Sequence, residues 1–318
     1  MDLFAKASAM SIRNEPPIPA FTAGELCDPE SVHRQLAHWN HRRLGPAAPH
    51  AQWQADLRED ARLTWIEGAW IESFRAEVIE RAHAAPRTVE GFTAWFQNLA
   101  VSGPGQHDPL FDWLARDAGP EAMNWFLTQE AAGEAGFDDL VALTQVKLPV
   151  EAKLELARNY WDEMGRGNRG GMHGLMLDQA IRVLDLKPTI DGTCWESLAL
   201  ANTLTTFAAN RRYAWHAVGA LGVVELTAPG RVSLIGQGLK RLGYPPEVRK
   251  YFDLHAMLDI KHAEAWIANV LRTLVVEDPS RVQFLAEGAL MRLTCGERCF
   301  EAYRDYLFRG AGLGVAAE

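Results

Sequence analysis

Residues 247–278 contain neither glycine nor proline, and their apolar side chains recur at three- and four-residue spacing. A run of this length with that period is predicted to be helix. On it His255, Asp259 and His262 stand at i, i+4 and i+7, within a stripe about 60° wide on the helical wheel and spread over about 10 Å of its axis. Phe252, Met257, Leu258 and Trp266 flank this polar line, so it is expected to point inward or into a cavity. Two imidazoles and a carboxylate among apolar neighbours are costly unless something satisfies them. Two readings remain open: a hydrogen-bonded cluster that ties helices together, or ligands to one cation or a closely spaced pair.

Helical periodicity accounts for most of the remaining chain. Helices are predicted over residues 52–83 (stripe Leu57, Leu63, Ile66, Trp70, Phe74, Val78), 88–100, 111–118, 120–144, 150–164, 175–184, 195–210, 213–227, 230–242 and 280–309. Strand signals are nearly absent, and no GxGxxG follows a strand to suggest a nucleotide fold. The expected class is all-α, built from about ten helices around one core. Residues 1–50 are the least regular. Pro16, Pro17 and Pro19 mark an extended segment, Gly45-Pro46 and Pro49 close the region, and Asp28 is placed to cap one short helix. This region is expected to be an arm lying over a helical domain of residues 51–318, with His33, His38, His41 and His50 at the solvated surface. The last residues, 310–318, are expected to fray.

A net charge of −9 with no block of Lys or Arg argues against nucleic acid or an anionic membrane as partner. No apolar run is expected to approach the roughly 18 residues that span a bilayer, and residues 1–10 are too polar for a secretory core. A cytoplasmic location is the expectation. Cys27, Cys194, Cys295 and Cys299 are too dispersed for a disulfide scaffold, and Cys295 and Cys299, one turn apart, read as core thiols. The eleven Trp, among them Trp65, Trp70, Trp113, Trp125 and Trp161, read mainly as core packing.

Other acids and imidazoles stand out by their surroundings. Glu130, Glu134 and Asp138 fall at i, i+4 and i+8 on one predicted face, surrounded by Ala131, Ala132, Gly133, Ala135 and Gly136. Glu163 and His173 bracket the glycine-rich stretch Gly165–Gly171, and on an unbroken helix they would be about 15 Å apart. Each glycine costs a helix about 1 kcal/mol relative to alanine, so a break there would fold the two toward each other. Glu225 ends a small, apolar stretch containing Gly219 and Gly222, which makes it either a ligand or a paired structural acid. Imidazole and carboxylate donors projecting from several helices suit iron or manganese.

Glu163…His173, then Glu225, then His255-x3-Asp259-x2-His262 resembles the ligand pattern of the haem-oxygenase-like dimetal oxidases, a family of iron-containing redox enzymes. The resemblance covers roughly residues 110–310. It implies a bundle of about seven core helices without haem. It also implies two Fe(II) ions per chain, with manganese as an alternative metal and O2 as co-substrate. Glu163, His173, Glu225, His255, Asp259 and His262 would be both ligands and catalytic residues. Some members add an upstream Glu, for which Glu130 and Glu134 compete, with Glu130 preferred. The chemistry implied is N-oxygenation or oxidative C–C cleavage of an amino-acid-like small molecule in secondary metabolism, with an external electron donor and a homodimer both compatible. Arg166, Arg169, Arg211 and Arg212 are candidates for clamping a substrate carboxylate, and Tyr160 for supporting the ligands. The rival readings are a metal-free relative on the same bundle (thiaminase-II-like hydrolase or cofactor-ring oxidase) and a non-catalytic helical binding protein.

Overall fold

The computed structural model describes residues 28–133 and 136–310. Among them every regular element is helical, and extended pairing is confined to one bridge between Met164 and Met172. In chain order the α-helices are α1 (Pro29–Leu44), α2 (Trp53–His83), α3 (Val89–Ser102), α4 (Pro109–Arg116), α5 (Pro120–Gly133) and α6 (Phe137–Thr144). They continue with α7 (Val150–Glu163), α8 (His173–Val183), α9 (Trp195–Ala209), α10 (Ala214–Arg241), α11 (Pro246–Ala265), α12 (Arg272–Glu277) and α13 (Val282–Gly310). The expected all-α helical bundle is the fold.

Helix α10 runs through the middle, packed chiefly on α11, α13 and α4. Its approach to α13 needs glycine on both partners. A Cβ on Gly219 would sit 1.9 Å from the Leu285 carbonyl oxygen, and one on Gly288 would sit 2.1 Å from that of His216. Around this crossing Phe74, Phe96, Phe207, Val218, Leu221, Val270 and Leu285 form one buried cluster. Leu110, Phe111, Phe126, Leu239, Phe252 and Tyr303 form a second. Each such side chain contributes about 1.5–3 kcal/mol by leaving water.

The structure departs from the sequence reading where backbone breaks or tertiary contacts decide. The helix expected over 120–144 splits into α5 and α6, with Gly136 in the left-handed region at φ +69°, a conformation that costs glycine no Cβ clash. The helices expected over 213–227 and 230–242 are instead one helix, with Pro229 inside it. Proline cannot donate to the carbonyl four residues back, so the Glu225 carbonyl lacks its helical donor, and packing on both sides keeps the helix continuous. From Arg211 to Arg241 this segment is long and apolar enough to cross a membrane by length and composition, contrary to expectation. In the fold it is the bundle's central helix, half buried over its most apolar window.

The run after His262 widens into a π-helix, Trp266–Leu271, before α12. Trp266 packs against the space left by Gly222 and donates its indole N–H to the Val218 carbonyl at 3.2 Å.

His33, expected at the surface, is buried. Its ring lies edge-on to Trp70 at 4.5 Å and stacks on Trp195 at 5.8 Å, and burial lowers its pKa to about 4. His38, His41 and His50 are exposed. Helix α1, capped by Asp28, is tied to the bundle by Asn40 donating to Asn202 at 2.9 Å and by Arg43 pairing with buried Glu67 at 2.5 Å. Trp65, Trp161 and Met257 are also corrections: all three are largely exposed. Cys295 and Cys299 are buried free thiols, as read. Cys27, the proline-rich segment of residues 1–27 and the tail of residues 311–318 lie outside the described residues.

Candidate metal centre

Helix α7 ends at Glu163 because Gly165 follows it at φ +60°. A Cβ on Gly165 would lie 2.3 Å from the Gly171 carbonyl carbon, so no other residue fits the reversal. The chain turns back through two short 3-10 segments, Gly165–Gly167 and Arg169–Gly171, and Met164 pairs with Met172. His173, the first residue of α8, therefore returns beside Glu163, with Nδ1 2.6 Å from Oε2. Helix α10 brings Glu225, and α11 brings His255, Asp259 and His262. All six side chains are buried.

Two groups of three donors result: Glu163, His173 and His255, and Glu163, Glu225 and His262. Within each, one ligand atom per residue lies within 4.8 Å of the others. Glu163 belongs to both. His262 Nδ1 is 3.4 Å from Glu225, 3.9 Å from Glu163 and 4.0 Å from Asp259. The other faces of these side chains are fixed by neighbours. His255 Nδ1 lies 2.7 Å from the Tyr251 carbonyl, and since a carbonyl only accepts, Nδ1 carries the proton and Nε2 keeps its lone pair. His262 Nε2 lies 3.2 Å from Asp162, which leaves Nδ1 facing the acids. Asn159 donates to Glu225 at 2.5 Å.

His173 Nδ1, His262 Nδ1 and Asp259 Oδ1 are buried without a hydrogen-bond partner. The 2.6 Å approach of His173 to Glu163 thus lacks hydrogen-bond alignment, as when two donors aim their lone pairs at a third point. Buried polar groups are normally satisfied. Orphaned donors of both chemistries at one spot fit a cation that takes nitrogen and oxygen ligands.

The electrostatics agree. Burial, reinforced by Glu225 and Glu163, pushes Asp259 up to about 9. Burial and the Glu163 charge also raise Glu225. Burial would lower His262, but Glu225, Asp162 and Glu163 together raise it to about 9. Burial and then His173 lower His255 to about 4, so its ring is neutral. The centre opens on a cavity of about 100 Å³ walled by Phe137, Asp138, Leu177, Val224 and Val232 as well as by Glu163, His173, Glu225, His255 and Asp259, and no Lys or Arg lines it. Burial, then Asp139 and, further off, Glu163 raise Asp138.

Glu130, the preferred upstream ligand, is not brought to this cluster. It accepts from Tyr303 at 2.9 Å, because the break between α5 and α6 separates its face from that of Asp138. Glu134 lies outside the described residues. The candidate arginine clamps are placed elsewhere: Arg166 pairs with Asp162 at 2.6 Å, Arg211 donates to carbonyls of residues 143, 144 and 146, Arg212 pairs with Glu72, and Arg169 is exposed. Tyr160 packs against the core. Sequence reasoning missed Asn159, Asp162 and Tyr251 as orienting groups. The signal for two of them was helical spacing, since Asn159 precedes Glu163 by one turn and Tyr251 precedes His255 by one turn; Asp162 is simply the neighbour of Glu163.

A helical bundle enclosing a buried cluster of imidazoles and carboxylates defines the class of protein. Residues 124–297 match the family described as iron-containing redox enzyme, and the chain belongs to that family. Among solved structures it is similar to a domain of unknown function with a heme oxygenase-like fold from Shewanella denitrificans OS217. That pair shares 16% identity over 70% of this chain and 94% of the other, with a TM-score of 0.47. No curated protein matches the chain.

Proposed function

We propose that this chain is a non-haem oxidase or oxygenase that holds two iron ions and consumes O2. The observation that carries the reading is Glu163, whose carboxylate belongs to both three-donor groups and so has the place of a bridge between two metals. Glu163, His173 and His255 would hold one ion, and Glu163, Glu225 and His262 the other, with Asp259 alongside. A pair of irons so held would supply the electrons with which dioxygen is activated.

The chain's own residues do the rest. Tyr251 keeps the His255 proton on Nδ1, Asp162 keeps the His262 proton on Nε2, and Asn159 fixes the rotamer of Glu225. Each leaves a lone pair or a carboxylate oxygen facing the centre, the outer-shell support that sets ligand affinity. Leu177, Val224, Ala228 and Val232 give the cavity apolar walls that limit water. Its size suits a small molecule, and an amino-acid-derived substrate undergoing N-oxygenation or C–C cleavage fits this reading.

The test is anaerobic Fe(II) loading with metal analysis, followed by O2 exposure in a stopped-flow spectrometer. Two irons per chain, a higher melting temperature on loading and an O2-dependent absorbance transient are expected. Sub-stoichiometric iron with no thermal shift would sink the reading and leave a metal-free relative.

A further inference from the structure

Arg231 is the anomaly that the metal centre leaves unexplained. Among the described residues no hydrogen bond or ion pair reaches it, and its Nη1 is sealed from solvent without a partner. Its guanidinium carbon lies 5.6 Å from the centroid of the Phe300 ring. The charges nearby are Arg292 and Glu130, and Glu130 already accepts from Tyr303. Burial, then Arg292, lower Arg231 to about 9, so it remains a cation at neutral pH. A largely desolvated cation with no hydrogen-bonded counter-ion is costly.

Its place in the fold says what that charge can serve. Arg231 follows Glu225 by six residues on α10, about 9 Å along the helix axis. It falls seven residues after Val224 and directly before Val232, both of which line the cavity, so it shares a face with Val224 two turns further on. No Lys or Arg lines the cavity, so a carboxylate entering it meets no guanidinium or ammonium there.

We propose that Arg231 anchors the carboxylate of an organic-acid substrate whose other end lies in the cavity at the metal centre. The guanidinium fork matches a carboxylate bidentately. The axial offset leaves a chain on the order of 9 Å between the anchor and Glu225. The inference rests on the functional reading for its reacting end, and on Arg231 alone for its anchored end.

Calorimetry with octanoate, octanamide and octylamine, on metal-free and on anaerobic Mn(II)-loaded protein, tests it. Octanoate is expected to bind at least about tenfold more tightly than the isosteric amide, the scale of a charged hydrogen bond, and the amine more weakly still. Arg231→Met should abolish the acid–amide preference and raise the melting temperature, because an apolar side chain of similar length replaces an uncompensated cation. Glu130→Gln, which removes the nearby acid, should keep or strengthen octanoate binding. Equal affinity for acid and amide in the unsubstituted protein overturns the proposal, as does a preference that survives Arg231→Met. A fall in melting temperature in both variants overturns it too, by showing that Arg231 and Glu130 form a structural pair. Octanoate held through Arg231 by a chain that takes up no iron would keep the anchor and remove only the oxidase reading.

Discussion

Two groups of buried imidazole and carboxylate stand in this bundle, and they are satisfied in opposite ways. In the first, Glu287 on α13 accepts from Arg75 at 2.8 Å and from Gln283 at 2.9 Å, and His216 Nε2 lies 2.8 Å away. Arg75 also pairs with Glu72, which is held in turn by Arg212 and Tyr213. Both carboxylate oxygens of Glu287 have partners and an arginine balances its charge, although His216 Nδ1 is itself buried without a hydrogen bond. In the second, Glu163, Glu225 and Asp259 face one another with imidazoles between them and no arginine lining the cavity. Three of the inward-facing atoms, His173 Nδ1, His262 Nδ1 and Asp259 Oδ1, make no hydrogen bond. Residue type therefore does not separate a structural cluster from a binding one. The charge balance and the partnering of the carboxylates do.

The sharpest way to break the comparison is to remove one carboxylate from each group. Glu163→Gln is expected to abolish iron uptake at both sites, with metal analysis falling to background and no melting shift on Fe(II) or Mn(II) addition. The metal-free fold should survive, since the substitution relieves repulsion among acids. Glu287→Gln is expected to do the reverse. Removing one partner of a complete buried pair costs about 3 kcal/mol or more, read as a lower denaturant midpoint, while the molecules that fold bind metal as before. If Glu163→Gln unfolds the protein as badly as Glu287→Gln, both clusters are structural.

The pH dependence sharpens the same contrast, because the two groups act at opposite ends of the scale. Burial would raise Glu287, but hydrogen bonds from His216, Arg75 and Gln283 outweigh it and lower its pKa to about 2. Its stabilisation is therefore complete above the ordinary value of 4.5 and is lost as pH falls toward about 2. After allowance for solvent screening this loss is roughly 2 kcal/mol. Asp259, raised from 3.8 to about 9, binds a proton in the folded state that the unfolded chain has released. His262, raised from 6.5 to about 9, does the same over a narrower range. Their contributions are present at low pH and fade as pH rises toward 9, so the metal-free protein should lose stability on the alkaline side. Metal binding displaces those protons. Melting curves in chelator against pH, with and without Mn(II), should show the alkaline loss only in the metal-free protein, together with proton release measured in buffers of different ionisation enthalpy. An alkaline loss that metal does not remove would place its origin outside this centre.

What was readable in the sequence follows from which interactions are local. The His255, Asp259 and His262 line and the fold class rest on helical period, which is written in consecutive residues. The return of His173 to Glu163 rests on glycines that cannot continue a helix, and Gly165 indeed takes a backbone and a spacing that no other residue fits. Gly136 carries the same signal within residues 120–144, and the break there puts Glu130 and Asp138 on separate helices rather than on one face. Pro229 misled in the other direction, because tertiary packing holds α10 together across it. Burial of a lone polar residue was the least legible. His33 sits between two tryptophans far from it in the chain, and Arg231 lies partly buried near an arginine and a glutamate from other helices. Nothing in the neighbouring sequence of either residue announces those partners.

Asp162 offers the smallest and most selective cut. Its carboxylate meets His262 Nε2 at 3.2 Å on one side and Arg166 at 2.6 Å on the other, so it holds the imidazole in the tautomer that turns Nδ1 toward Glu225. It is itself partly exposed, and Arg166 is mostly solvated, so their ion pair adds little to stability. Asp162→Ala should therefore leave the melting temperature of the metal-free protein within about half a kcal/mol-equivalent. Metal affinity should fall by about tenfold, at the low end of what losing an outer-shell partner of a ligating histidine costs. The loss should fall on one of two metal equivalents in a competitive titration, because the Asp162 carboxylate hydrogen-bonds His262 and not the side chains of Glu163, His173 or His255. Equal weakening of both equivalents would mean that His262 does not belong to a separate subsite, and that the six side chains act as one site around a single ion.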